Sequence, residues 1–388
     1  MAVFENPLLI LLIILAIGLI VPELVRKLKI PFITILIVVG AILGPNLLGY
    51  VTFSEPINFL GFLGMAFLMF MAGLETDLSK IKELKYKIFV LAGLSGLVPF
   101  ITGILITHAF GYPWMTSFLI GVIFVSSSVA VIIPALKSAH LFDKDIGRII
   151  LSATLIADIL SLVLLSFVLQ SVSPITRLPL PIYFAVLLVS VLVLFALLPR
   201  ITKYFLNGRF SEKTEYERRL RFVIVLVISV LAFFSLLGVH PILAAFITGL
   251  ALSQVVRRNE IYSKLHTLGY GFFVPIFFFI VGMEMDLTIL AHFSITDVLL
   301  VSIVVGLIGS KFISGVVGGR LVHLSWKDSS LFGFCSIIQL TTTLAVTYAA
   351  SSLGILDSAL VTSVIILSVV TTVLGPVMLR FFSRVKAS

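Results

Sequence analysis

The stretch "FLIGVIFVSSSVAVIIPAL", Phe118 to Leu136, sets Ser126, Ser127 and Ser128 in the middle of an otherwise apolar run. Far downstream "TTTLAV", Thr341 to Val346, repeats the pattern with Thr341, Thr342 and Thr343. Three adjacent hydroxyls do not form a helix face; they ring the axis. They suit an unwound stretch, where hydroxyls bond locally to freed backbone groups. For a single plug, close packing of small residues between two helices is the simpler reading. Two plugs at matching positions predict paired broken helices that cross near the middle of a membrane.

The composition sets the stage for that reading. The chain has 388 residues, of which 60% are hydrophobic and 12% charged. Soluble domains carry about 25% charged residues, so this chain lacks the polar groups to cover a soluble surface. It reads as an all-α polytopic membrane protein. The single cysteine, Cys335, excludes a disulfide framework and a cysteine-based zinc site. The six histidines form no spaced pair with a carboxylate, and no cofactor motif is present.

Spanning a bilayer takes about 20 apolar residues. Thirteen candidate segments follow: 7–25, 31–49, 57–75, 88–107, 114–136, 146–170, 180–199, 221–239, 241–256, 266–284, 297–321, 331–353 and 357–380. The first is too long and too well embedded in the pattern for a cleaved signal peptide. Of the 27 Lys and Arg, 25 fall after odd-numbered segments; Arg177 alone follows an even one, and Lys311 lies inside segment 11. The positive-inside rule then predicts an outside N-terminus and a cytoplasmic C-terminus in a multi-pass cell-membrane protein. The net charge of +9 is a topology signal, and no nucleic-acid partner is expected.

The chain also repeats itself. "VVGAIL" (38–43) answers "ITGLAL" (247–252), and "AGLETDL" (72–78) answers "VGMEMDL" (281–287). "SSSVAV" answers "TTTLAV", and "ADILS" (157–161) answers "VIILS" (364–368). Four matches in one order at nearly one spacing define two six-helix copies, with segment 7 as linker. Seven crossings separate the copies' starts, so the second copy is inverted, as in many secondary transporters.

Two charges lie at mid-membrane depth. Asp158 is central to segment 6 and Lys311 to segment 11. Each costs at least about 2.5–3.5 kcal/mol to insert, so each needs a reason. Asp158 has no acidic counterpart in the second copy, where Ile365 stands. Thr154 lies one turn earlier on the same face and offers a hydroxyl. A carboxylate among hydroxyl and carbonyl oxygens is a site where a proton and a hard monovalent cation compete. Lys311 either forms a salt bridge that breaks as the cation binds or is a fixed charge offsetting half-helix ends. Glu75 and Glu284, repeat mates at segment ends, are either polar caps or acids of a cation vestibule or dimer contact.

The motif "AGLETDL", the polar break, the Asp-bearing "TLIADILS" and the Lys in "GSKFISG" together resemble the monovalent cation:proton antiporter-2 family, with its Kef-type and Nap-type members. The resemblance covers the whole chain. It implies an NhaA-like fold, a homodimer in the lipid bilayer, and exchange of Na+, or alternatively K+ or Li+, for H+. It implies a scaffold and dimer surface in segments 1–3 and 8–10 and a core in 4–6 and 11–13, moving as an elevator. In chain order that gives 1–112 for the scaffold with the start of segment 4, 113–175 for core, 176–220 for the linker and loop, 221–290 for scaffold and 291–388 for core. Asp158 matches the ion-binding aspartate, Ser127 and Ser128 the polar break beside it, and Lys311 the basic residue of the core. The position before the aspartate, usually Asp, Asn or Gln, is Ala157 here, which points to one proton per cation and electroneutral exchange. Only eight residues follow Arg380, too few for the nucleotide-binding domain of Kef-type proteins, so gating through one is not expected.

Rival readings are a cation channel of the same fold and a sodium-coupled organic-anion symporter. Enzymatic function is not expected: an intramembrane aspartyl protease needs two facing aspartates, and only Asp158 is at midplane.

Overall fold

A computed structural model describes residues 6–24, 32–75, 85–142, 144–172, 179–207, 216–237, 241–257, 259–286 and 295–384. The regular structure of the described residues is helical. The elements are α1 (Pro7–Leu24), α2 (Phe32–Leu43), α3 (Glu55–Glu75), α4 (Lys85–Ala109), α5 (Trp114–Val125), α6 (Val129–Ser138), α7 (Asp145–Val172) and α8 (Leu180–Asn207). They continue with α9 (Tyr216–Leu236), α10 (Pro241–Val256), α11 (Ile261–Leu268), a π-helical turn (Gly269–Phe273), α12 (Val274–Met283), α13 (Ile295–Leu321), α14 (Trp326–Ser336), α15 (Thr341–Ser352) and α16 (Ser358–Arg384). Among the described residues nine stretches are long and apolar enough to cross a membrane, and four shorter apolar helices accompany them.

Several segment limits differ from the sequence reading, each for a local reason. Segment 2 ends at Leu43, six residues early, and Gly49 then takes a positive φ of 65° in the turn that follows. Segment 7 continues to Asn207 straight through Pro199. Segment 10 starts at Ile261, and its π-helical turn immediately precedes Pro275, where the helix must do without one backbone donor.

The chain divides into two compact units. One comprises Met1–Phe59, Leu78–Leu165 and Phe278–Ser388; the other comprises Leu60–Asp77 and Ser166–Phe277. In the first unit α4 packs on α5 and α13, α13 on α14 and α16, and α16 on α6, α14 and α15. Ile88, Leu91, Ile132, Ile149, Leu331 and Leu379 belong to one buried apolar cluster there. The loop after α4 is tied to the loop after α15, because the Tyr112 hydroxyl donates to Asp357 at 2.9 Å. In the second unit α8 and α9 pack on α10.

Glycines let backbones touch at places that the repeat motifs mark. In the first unit a Cβ on Gly40 of α2 would lie 2.1 Å from the Phe279 carbonyl oxygen of α12, and one on Gly282 2.1 Å from that of Ile37. In the second unit Gly73 of α3 meets Phe246 and Gly249 of α10 in the same manner. Thus α2 seats on α12 and α3 on α10: each motif helix contacts the non-equivalent motif helix of the other half. Within each half, glycines likewise join α4 to α5 through Gly103 and Gly121, and α13 to α14 through Gly315 and Gly333.

Candidate functional site

The site begins with two interruptions. α5 ends at Val125, Ser126 and Ser128 are extended (ψ 164° and 101°), and α6 starts at Val129. The serines are themselves the break. α14 ends at Ser336, Leu340 takes φ −156°, and α15 starts at Thr341. The second break therefore spans residues 337–340, just ahead of the threonines. Thr341, Thr342 and Thr343 are the buried first turn of α15, not unwound chain as their match to the serines suggested.

The two breaks bond to each other. The Ser128 N–H donates to the Ile338 carbonyl at 2.7 Å, and the Ser127 hydroxyl to the Ser336 carbonyl at 2.9 Å. Gln339 donates from its amide to the Ser126 carbonyl, while Thr343 donates to its Oε1. The Ser126 hydroxyl also reaches Gln339 Oε1, at 3.1 Å, and Thr343 Oγ1, at 2.9 Å. Ser128 and Thr341 bring their hydroxyls within 3.4 Å of each other. The Gln339 carbonyl accepts from Thr372 at 3.3 Å, and Thr371 Oγ1 accepts from the Gln339 N–H at 3.2 Å. Freed backbone groups in hydrocarbon must find such partners, and here side chains of the opposite break supply many of them.

Lys311 enters this crossing from α13, fully buried at 0% exposure. Its ammonium donates to the Val125 carbonyl (2.7 Å), the Ser126 carbonyl (2.9 Å) and Ser127 Oγ (3.0 Å). An ammonium has three donors, and all three are used. The charge thus sits on the carbonyl end of α5, where the helix dipole is negative.

Asp158 lies on α7, 4% exposed. Its Oδ1 accepts the Ser127 N–H at 3.1 Å, at the entry to α6. A carboxylate there faces the positive end of that half-helix. α7 is fastened to α5 by the Ser161 hydroxyl, which donates to the Val122 carbonyl at 3.0 Å. Thr154 is buried one turn before Asp158.

The crossing therefore brings together Asp158, Ser126, Ser127, Ser128, Lys311, Thr341 and Thr343. Thr342 is buried beside them in the first turn of α15. Glu75 belongs elsewhere: it ends α3 in the second unit, where Tyr270 donates to its Oε1 at 3.3 Å and Arg257 to its backbone carbonyl at 3.2 Å. Glu284 follows α12 in the first unit and lines a cavity. Gln339 is the organising residue that the hydroxyl pattern did not single out. Its signal was a lone amide in the apolar run "CSIIQL".

Comparisons with known proteins give the family and the fold. Residues 10–385 match the family described as "Sodium/hydrogen exchanger, transmembrane". The chain is 31% identical over 372 residues to "Probable Na(+)/H(+) antiporter 3" of Methanocaldococcus jannaschii, covering 95% of this chain and 94% of that one. It is 28% identical over 364 residues to a "Na(+)/H(+) antiporter" of Enterococcus hirae, covering 92% and 93%. Its fold resembles that of the sodium proton antiporter MjNhaP1 from Methanocaldococcus jannaschii, solved at pH 8, with a TM-score of 0.76, 18% identity and 96% of each chain covered. The narrower antiporter-2 assignment drawn from the motifs is not supported: the match is to the sodium/hydrogen exchanger family.

Proposed function

The chain belongs to the sodium/hydrogen exchanger family, and from that premise we propose that it exchanges a monovalent cation for H+ at Asp158. The observation that carries this reading is the placement of Asp158. A buried carboxylate takes one backbone N–H from the broken helix, while the nearby ammonium spends its donors on α5 and Ser127. Asp158 is thereby held in place and is not locked to Lys311. Proton and cation compete for its oxygens, with Thr154 and the hydroxyls and backbone of Ser127 and Ser128 as further ligands.

Sodium is the first candidate, since relatives carry it in their names; one relative, from Bacillus cereus, is called a "Na(+)/H(+)-K(+) antiporter", which keeps potassium in view. Nine long spans and four shorter apolar helices support thirteen crossings. The reciprocal glycine contacts support two inverted six-helix copies. The packing of α4 on α5 and α13 and of α13 on α14 and α16, with α7 fastened to α5, supports a core of α4–α7 and α13–α16 that moves as an elevator against a scaffold of α1–α3 and α9–α12. The chain works as a homodimer with a cytoplasmic C-terminus. With Ala157 beside Asp158, exchange is one for one.

Asp158→Asn tests the assignment. In proteoliposomes the variant loses sodium-driven proton flux while its thermal midpoint stays near that of the wild type. Full exchange by a folded Asp158→Asn variant rules the assignment out.

A further inference from the structure

Glu284 is an acid that the exchange reading leaves without a task, although the structure fixes the backbone around it. Asn46, beyond the end of α2, donates from Nδ2 to the carbonyls of Met283 (3.4 Å) and Met285 (3.3 Å), the two residues that flank Glu284. The next N–H, that of Asp286, donates to Thr362 Oγ1 of α16 at 2.9 Å. A Cβ on Gly44 would lie 2.9 Å from the Met283 Cα, so α2 and α12 are seated backbone to backbone immediately before this point. The backbone around Glu284 is pinned on both sides.

The carboxylate lines a cavity of about 480 Å3 together with Asn46, Asn58, Tyr348, Ser351 and Ser358. The Ser351 hydroxyl hydrogen-bonds to Glu284. Because the Asn46 amide nitrogen is spent on the flanking carbonyls, its oxygen is left to accept. α12 and α15 both end at this cavity, and helix C-termini carry partial negative charge that favours cations. α16 begins here with the opposite polarity, but Asp357 caps it by accepting the Leu360 N–H at 2.9 Å. The sequence partner Glu75 differs: its carboxylate takes the Tyr270 hydroxyl, and Arg257 is bound to its own backbone.

One carboxylate among neutral hydroxyl, phenol and amide oxygens suits a hard monovalent cation. Among the described residues no group of three His, Cys, Asp or Glu is available for a more demanding metal. The volume has room for on the order of ten waters, so the ion would keep much of its hydration shell. The ends of segments 2, 10 and 12 and the starts of segments 3 and 13 lie on the side opposite the basic loops.

We propose that this cavity is a second cation site, in which Glu284 captures a hydrated monovalent cation on the face opposite the basic loops. The delivery role rests on the antiport reading above; the site itself does not.

Sodium is the probe, with choline at equal ionic strength as control. In purified Asp158→Asn protein, sodium still raises the thermal midpoint; adding Glu284→Gln removes that rise and Glu284→Asp retains it. No sodium-specific rise in Asp158→Asn, or a rise that survives Glu284→Gln, overturns the site. In oriented proteoliposomes, Glu284→Gln raises KM for sodium severalfold from the Glu284 face alone, with kcat unchanged. An unchanged KM, or an equal rise from both faces, overturns the delivery role. If the wild type exchanges no cation, the antiport reading fails, and the thermal measurement still decides the site.

Discussion

Asp158 and Lys311 are joined through a single residue, Ser127, whose N–H donates to the Asp158 carboxylate at 3.1 Å and whose hydroxyl accepts from the Lys311 ammonium at 3.0 Å. The same hydroxyl donates to the Ser336 carbonyl at 2.9 Å, so the second break is part of the link.

Lys311→Met leaves the Val125 and Ser126 carbonyls without the ammonium that bonds them, and the Ser126 carbonyl keeps only Gln339. A buried acceptor left bare costs about 1–3 kcal/mol. The variant therefore melts below the wild type in detergent even though it removes a buried charge. An unchanged or raised melting point means that the ammonium is not a structural clamp on α5.

Glycine contacts make a second prediction with an internal control. Gly40→Val forces α2 away from the Phe279 carbonyl, so little folded protein is recovered. Gly93→Ala in α4 meets nothing within 4 Å and is tolerated or stabilises by about 0.5–1 kcal/mol, the usual gain for Gly→Ala inside a helix. Equal yield and melting point for the two variants would show that α2 and α12 are not seated in this way.

Charge balance gives a third. Ala157, 1% exposed, stands beside Asp158, and the proposed one-for-one exchange at Asp158 then moves no net charge. Proton flux in proteoliposomes then stays the same when the membrane potential is clamped at different values. A rate that follows the potential argues for a second proton carried elsewhere.

Much of this was legible in the sequence because lipid allows few solutions. Segments long enough to cross, a break wherever hydroxyls crowd, and a reason for every buried charge all follow from the cost of bare polar groups in hydrocarbon. The serine plug marked its break directly, since Ser126 to Ser128 are the non-helical residues between α5 and α6. The threonine plug misplaced the second break by a few residues, because threonines at 341–343 fit the first turn of a helix as well as they fit a loop. Gln339, inside that break, was harder to read: its role depends on Ser126, 213 residues away, and no local pattern encodes that contact. The partners of Lys311 were hidden for the same reason. Periodicity placed the charge at midplane but could not say whether a carboxylate or a helix end would face it.

The proposed exchange requires one proton and one cation to compete for Asp158. Calorimetric titration of the purified protein with sodium, in buffers of different ionisation enthalpy and below the pH where Asp158 ionises, counts the protons released per ion bound. In a Glu284→Gln background, which removes the second site, one proton is released per sodium with Asp158 intact and none once Asp158→Asn is added. Sodium binding without proton release in Glu284→Gln, or undiminished release in the double variant, would contradict the competition at Asp158.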